Sequence, residues 1–199
     1  NGAPLAANFQ TAAFYPLNAL YFVLPVEHAM GYTAVLHVIL AGLMLYAWGR
    51  AFGLSPLAAL VAALAFQLSQ FLIARFGSLS ITATFPWTAA WLWRTEVLLQ
   101  RRRASDVLWL AVTIGLGLLA GHAQTAGLGL IFLVGYAAVR QISLKPLVSN
   151  DTQRELARHY MARHYMARHV LLAVGGLLAA IVLGMLLAAV QLALTFELA

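Results

Sequence analysis

The sequence contains no cysteine, and only 9% of its 199 residues are charged. Without cysteine there are no disulfides and no thiolate metal site, and the redox compartment leaves no mark. Acidic residues are scarcer than basic ones, six against twelve, giving a net charge of +6. A basic balance can serve nucleic acid, but a soluble basic domain scatters its charges among polar residues. Here they are confined between apolar runs, which argues against a nucleic-acid partner. Also missing are a phosphate-binding glycine loop, a nucleophile elbow and paired metal carboxylates.

What fills the chain instead is apolar: 63% of the residues are hydrophobic and the mean hydropathy is +0.85. No soluble domain of this size needs so much apolar surface. A hydrocarbon core of about 30 Å calls for roughly 20 apolar residues per helix, and such runs recur here between short polar breaks. The fold class that follows is an all-α integral membrane bundle of about six transmembrane helices, in contact with a lipid bilayer. Residues 1–29 hold Asn1, Gly2, Pro4, Asn8, Gln10, Pro16, Asn18 and Pro25 and read as an outer interfacial loop, with Phe14 to Leu24 too short to cross. The transmembrane domain then occupies residues 30–199. Spans are expected over about Met30–Trp48, Pro56–Ile73, Ser80–Leu99, Ser105–Ala120, Thr125–Arg140 and Val170–Leu194. Ser55 and Pro56 open the second as N-cap and first-turn residues. A cytoplasmic loop is expected at about 141–169. Asn1 is not a methionine and Ala199 follows a long apolar run, so both ends read as cut.

Six alternating spans assign each loop to one of two sides, and lysine and arginine favour the cytoplasm. One side receives Arg50, Arg94, Arg101, Arg102, Arg103, Arg140, Lys145, Arg154, Arg158, Arg163 and Arg168, and the other only Arg75. The outer face therefore carries the opening loop, the Arg75 turn, the Gly121–Gln124 turn and the C-terminal end.

Polar residues at those outward ends are Gln67, Gln70, Arg75, His122, Gln124, Gln191 and Glu197. Each could simply bond its neighbours or the lipid headgroups. As a group they mark an outward cavity. The fourth and fifth apolar runs are only about 15 residues, roughly 22 Å, so their Gly121–Gln124 junction should lie below the outer surface, where non-helical backbone needs protein or water to cover it. The tandem ARHYMARHYMARH of residues 157–169 suggests a metal site, but histidines five apart sit about 140° around a helix and share no face. Arginines meeting anionic lipid explain it better. Gly176, Ala180, Gly184 and Ala188, four apart, mark close helix packing. His37 reads as a satisfied bundle histidine, and Glu27 with His28 as a solvated surface pair.

The ordered strings NGAPLAANFQTAAFYPLNALYFVLP, LHVILAGLMLYAWGRAFGLS, GHAQ and AAVQLALTFELA resemble YfhO-like bacterial membrane proteins, of the type C glycosyltransferase superfamily. Ala123 and Leu194 stand where that family commonly has proline. The resemblance implies a multi-pass protein of the bacterial cytoplasmic membrane that passes a sugar from a polyprenyl-phosphate donor to a cell-envelope acceptor at the outer leaflet. It implies an acidic catalytic residue upstream of Asn1, so the catalytic residue is not identified in this chain, and often a divalent metal. Arg75 would meet the lipid phosphate, while His122, Gln124, Gln191, Thr195 and Glu197 match the family's pattern at the substrate end. Two other readings remain: a non-catalytic subunit working with partner membrane subunits, or a lipid-linked sugar flippase or transporter, whose paired broken helices and internal repeat are not seen.

Overall fold

The computed structural model describes residues 8–143 and 155–196, with the backbone alone for Ile142 and residues 155–169. Among them there is helix and no strand. Two 3-10 turns, Phe9–Thr11 and Pro16–Ala19, lead into the one-turn helix α1 (Leu20–Val23) and then α2 (Val26–Phe52). α3 (Pro56–Gln67), α4 (Gln70–Ala74) and α5 (Leu79–Arg101) follow, then α6 (Ala104–Leu119), α7 (Ala123–Ser143), α8 (Glu155–Leu187) and α9 (Ala189–Phe196).

Local chemistry sets several of these limits. α2 stops where Gly53 takes a left-handed φ of 106° and returns its N–H to the Gly49 and Arg50 carbonyls. Ser55 Oγ accepts the Ala58 N–H at 3.2 Å and Pro56 occupies the first turn of α3. The expected second span breaks at Leu68, because Ser69 caps a new start through the Leu72 N–H. α5 runs on through Pro86 to a left-handed Arg102.

Among the described residues, four stretches are long and apolar enough to cross a membrane: α2, Pro56–Ala74 across the α3–α4 break, Ala123–Gln141 of α7 and Val170–Leu187 of α8. That is fewer than the six expected. α5 has 23 residues, but Arg94, Glu96, Gln100 and Arg101 lower its apolar character. α6 has 16 residues, about 24 Å. α7 is longer than expected, at 21 residues, and the expected loop at 141–169 is helical to Ser143 and again from Glu155. The tandem histidine stretch thus continues into the apolar part of α8. Glu197 lies outside the described residues.

α5 forms the middle of the bundle, packed on α2, α6 and α7; α8 covers α6, α3 covers α2, and α9 rests on the Phe9–Thr11 turn. The small-residue row of α8 makes the close contact expected of it: Ala180 and Ala188 are buried, and Gly184 sits against Ile114 and the Ala111 carbonyl of α6. Outward from this core the helices present Leu43, Leu57, Ile131, Leu171 and Leu186 to their surroundings. Such a surface would aggregate in water and is solvated by lipid tails.

Candidate functional site

Two ends of the bundle carry polar structure, and they differ in charge. At the end formed by the C-termini of α2, α5 and α7, Glu96 is fully buried. Its carboxylate accepts from Arg140 Nη2 at 2.8 Å, Arg140 Nε at 2.9 Å, Tyr136 Oη at 2.5 Å and Gln100 Nε2 at 2.7 Å. Trp48 Nε1 donates to Tyr136 Oη at 3.0 Å, and Gln100 reaches the Ala51 carbonyl. Alongside, Arg94 pairs with Asp106 at 3.5 Å and lies over the Trp93 and Trp109 rings. These groups tie helices together and leave the Glu96 carboxylate no lone pair for a ligand.

The opposite end is assembled from the opening segment, the starts of α2 and α5, and the turn before α7. Tyr15, His37 and Trp87 form a closed relay there. His37 Nδ1 meets the Thr33 carbonyl at 2.6 Å and must carry the proton, so Nε2 accepts from Tyr15 Oη at 2.7 Å. Trp87 Nε1 donates to the same Tyr15 oxygen at 2.9 Å. Burial pushes the Tyr15 phenol well above its ordinary range, with Trp87 pulling partly the other way, so it stays a donor. His37 is thus the satisfied bundle histidine its position suggested.

His122 proves to be a helix cap. Its Nδ1 accepts the Thr125 N–H at 3.1 Å and faces Thr125 Oγ1 at 2.7 Å, and its carbonyl receives the first helical bond of α7 from Ala126. With Nδ1 accepting, the neutral ring keeps its proton on Nε2. The His122 N–H donates to Thr84 Oγ1 at 3.2 Å, fixing the turn to α5. Gly121, at φ 94°, lets the backbone approach closely: a Cβ there would lie 2.8 Å from the Phe9 carbonyl oxygen.

Below His122 runs an apolar groove of about 350 Å³ between α3–α4 on one wall and α5 and α7 on the other. Phe66 stacks on Phe85 at 4.8 Å and Phe71 meets it tilted at 5.1 Å, while Thr125, Leu128 and Phe132 form the α7 side. Arg75, exposed, caps the C-terminus of α4 one helical turn after the groove-lining Phe71. Gln124 is exposed in the first turn of α7. A second hollow, about 400 Å³, opens on the other side of α5 between the opening segment and the first turns of α2 and α5.

Of the described sequence-picked residues, none lines the groove itself: Arg75 lies one turn past Phe71, and His122 and Gln124 flank the groove-lining Thr125 in the chain. Gln191 is fully buried on α9, with Thr195 Oγ1 bonded to its carbonyl at 2.8 Å. None of the expected junction residues Gly121–Gln124 lines either hollow; the preceding Ala120 lines the larger one. Sequence reasoning missed Tyr15 and Trp87, whose partners are 22 to 72 residues apart, and Thr33, whose carbonyl holds His37 and whose side chain lines the hollow. No protein family, curated protein or solved structure matches the chain.

Proposed function

We propose that this chain is the membrane part of a glycosyltransferase-like protein of the bacterial cytoplasmic membrane, which takes a sugar from a polyprenyl-phosphate donor and passes it to a cell-envelope acceptor on the outer face. In this reading α2, α3–α4, α5, α6, α7 and α8 make six crossings, with the arginine-rich end in the cytoplasm. The observation that carries it is the apolar groove, with Arg75 one turn past its Phe71 and with His122 and Gln124 beside its Thr125 in the chain. A prenyl chain fits an apolar groove, a phosphate seeks the exposed guanidinium, and the His122 Nε2–H with the Gln124 amide offers neutral contacts to a sugar.

The groove lining contains no carboxylate among the described residues, so the base that deprotonates an acceptor hydroxyl must come from another segment or chain. The same feature favours a second reading, a donor-binding subunit whose partner supplies the chemistry. Among the described residues no three His, Asp or Glu gather to hold a divalent ion, and no step here runs through one.

The test is donor binding and turnover with full-length protein. R75A should weaken binding of a polyprenyl-phosphate sugar roughly ten- to a hundredfold, the loss of one charge-assisted hydrogen bond of about 1.5–3 kcal/mol. Because His122 caps α7, the informative change is H122N, since asparagine caps well but lacks Nε2. It should bind donor normally and transfer at least about tenfold more slowly. Unchanged binding and turnover in both variants would remove the groove from the reaction.

The orientation has its own check. A cysteine at Ala104, beside the arginine turn, should resist impermeant thiol reagents in intact cells, whereas one at Gly77 should react. The reverse pattern would invert the topology.

A further inference from the structure

We infer that the hollow on the other face of α5 is a binding site for a small, neutral, polyhydroxylated ligand such as a carbohydrate ring. The decisive group is Thr33. It is only 2% exposed, it lines the hollow, and its Oγ1 has no hydrogen-bond partner among the described residues. A helical threonine ordinarily turns its hydroxyl back to the carbonyl one turn earlier, as Thr195 does here. Thr33 instead keeps a buried hydroxyl free at the wall of a hollow, a costly arrangement unless something in that space completes it.

The rest of the lining defines what that something is. Asn18 spends its amide N–H on the Ala12 carbonyl at 2.9 Å, which leaves its carbonyl oxygen as an acceptor. Gln10 and Ser80 add uncharged donors and acceptors, and the rings of Tyr21 and Phe22 add flat apolar faces. None of the described lining residues is charged. An ionised ligand would lose its hydration and find no counter-charge. A hydrocarbon would strand the polar groups of Thr33, Asn18 and Ser80. A ring with hydroxyls on its edge and C–H groups on its faces satisfies both sets of walls. The volume, about 400 Å³, lies in the usual range of small-molecule sites.

This site is separate from the lipid groove. Leu79, Ser80 and Ala83 turn toward the hollow, while Phe85, Thr88 and Ala89 turn toward the groove, and at 100° per residue these are opposite faces of α5. Occupancy therefore does not depend on any donor lipid.

The experiment uses full-length protein in nanodiscs, with glucose, galactose and N-acetylglucosamine as neutral probes and glucuronate and glucosamine as charged counterparts. Saturation-transfer NMR gives the affinities. At least one neutral sugar should bind saturably, and both charged ones at least about tenfold more weakly. T33V keeps the shape and removes the hydroxyl, so it should weaken the neutral sugar at least about fivefold without lowering thermal stability, since that hydroxyl has no protein partner to lose. A83L, which fills the hollow, should abolish binding; if it fails to fold, T33V alone decides. The proposal is overturned if no neutral sugar binds, which would leave water as the occupant, if charged sugars bind equally well, or if T33V leaves the affinity unchanged.

Discussion

Replacing Glu96 by alanine should destabilise the protein by about 3–5 kcal/mol, toward the lower end because the Arg140 side chain retains 19% exposure. The carboxylate is fully buried and receives hydrogen bonds from Arg140, Tyr136 and Gln100, so its removal strands a guanidinium, and leaves Gln100 without its side-chain partner. A charge left without its counter-ion among apolar helices is costlier than the pair it came from. The arrangement also joins three elements, since Tyr136 and Arg140 lie on α7, Glu96 on α5, and Trp48 on α2. Loss of Glu96 should therefore loosen α7, whose cation also rests over the Phe52 ring at 4.4 Å. Steric-trapping measurements of unfolding free energy in detergent micelles would read the loss. The double variant E96L/R140M, which removes both charges, should recover at least half of it. An E96A protein within about 1 kcal/mol of the parent would mean that the ion pair is not what holds α7.

Where local chemistry decided the structure, the sequence was readable. The Ser55–Pro56 start of α3, the small-residue row on α8 and the turn near Gly121 each depend on residues a few positions apart. Boundaries slipped where one residue did an uncommon job. α7 begins two residues before the expected Thr125 because a histidine, seldom an N-cap, satisfies the Thr125 amide. The α3–α4 break hid inside an apolar run, with Ser69 its sole cap signal. What could not be read were pairings across the bundle. Glu96 and Arg140 are 44 positions apart, Tyr15 and Trp87 72, and no periodicity in either segment announces them. For the site, Arg75, His122 and Gln124 are chain neighbours of the groove residues Phe71 and Thr125 without lining the groove, and Gln191 is buried on α9. Four candidate spans against six reflect α5, whose polar groups are spent on α2 and α7, and α6, whose 16 residues are short for a crossing.

The α6–α8 contact should fail under a different kind of change, the addition of bulk. A methyl group on Gly184 would lie 2.6 Å from Ile114 Cγ2 and 3.0 Å from the Ala111 carbonyl oxygen. The second neighbour is backbone, so the clash cannot be relieved by rotating a side chain; the two helices must move apart. From the facing side, a methyl on Gly115 would lie 3.2 Å from the Gly184 carbonyl, so the pair of glycines sets one close crossing. Lipid tails are as apolar as leucine and drive no helix association, so the close fit itself supplies the attraction here. G184L should cost about 3 kcal/mol, the upper range for overpacking a well-filled interface. Gly175, nine residues earlier on α8, has nothing within 4 Å of where its Cβ would stand, and G175A should be neutral or slightly stabilising. Both variants add carbon to the same helix, leucine more than alanine, so hydrophobicity alone predicts that G184L is no worse than G175A, whereas packing predicts that G184L is much the less stable. Unfolding free energies in the same micelles decide between them, and a G184L protein as stable as G175A would show that α8 does not need this contact to stay in the bundle.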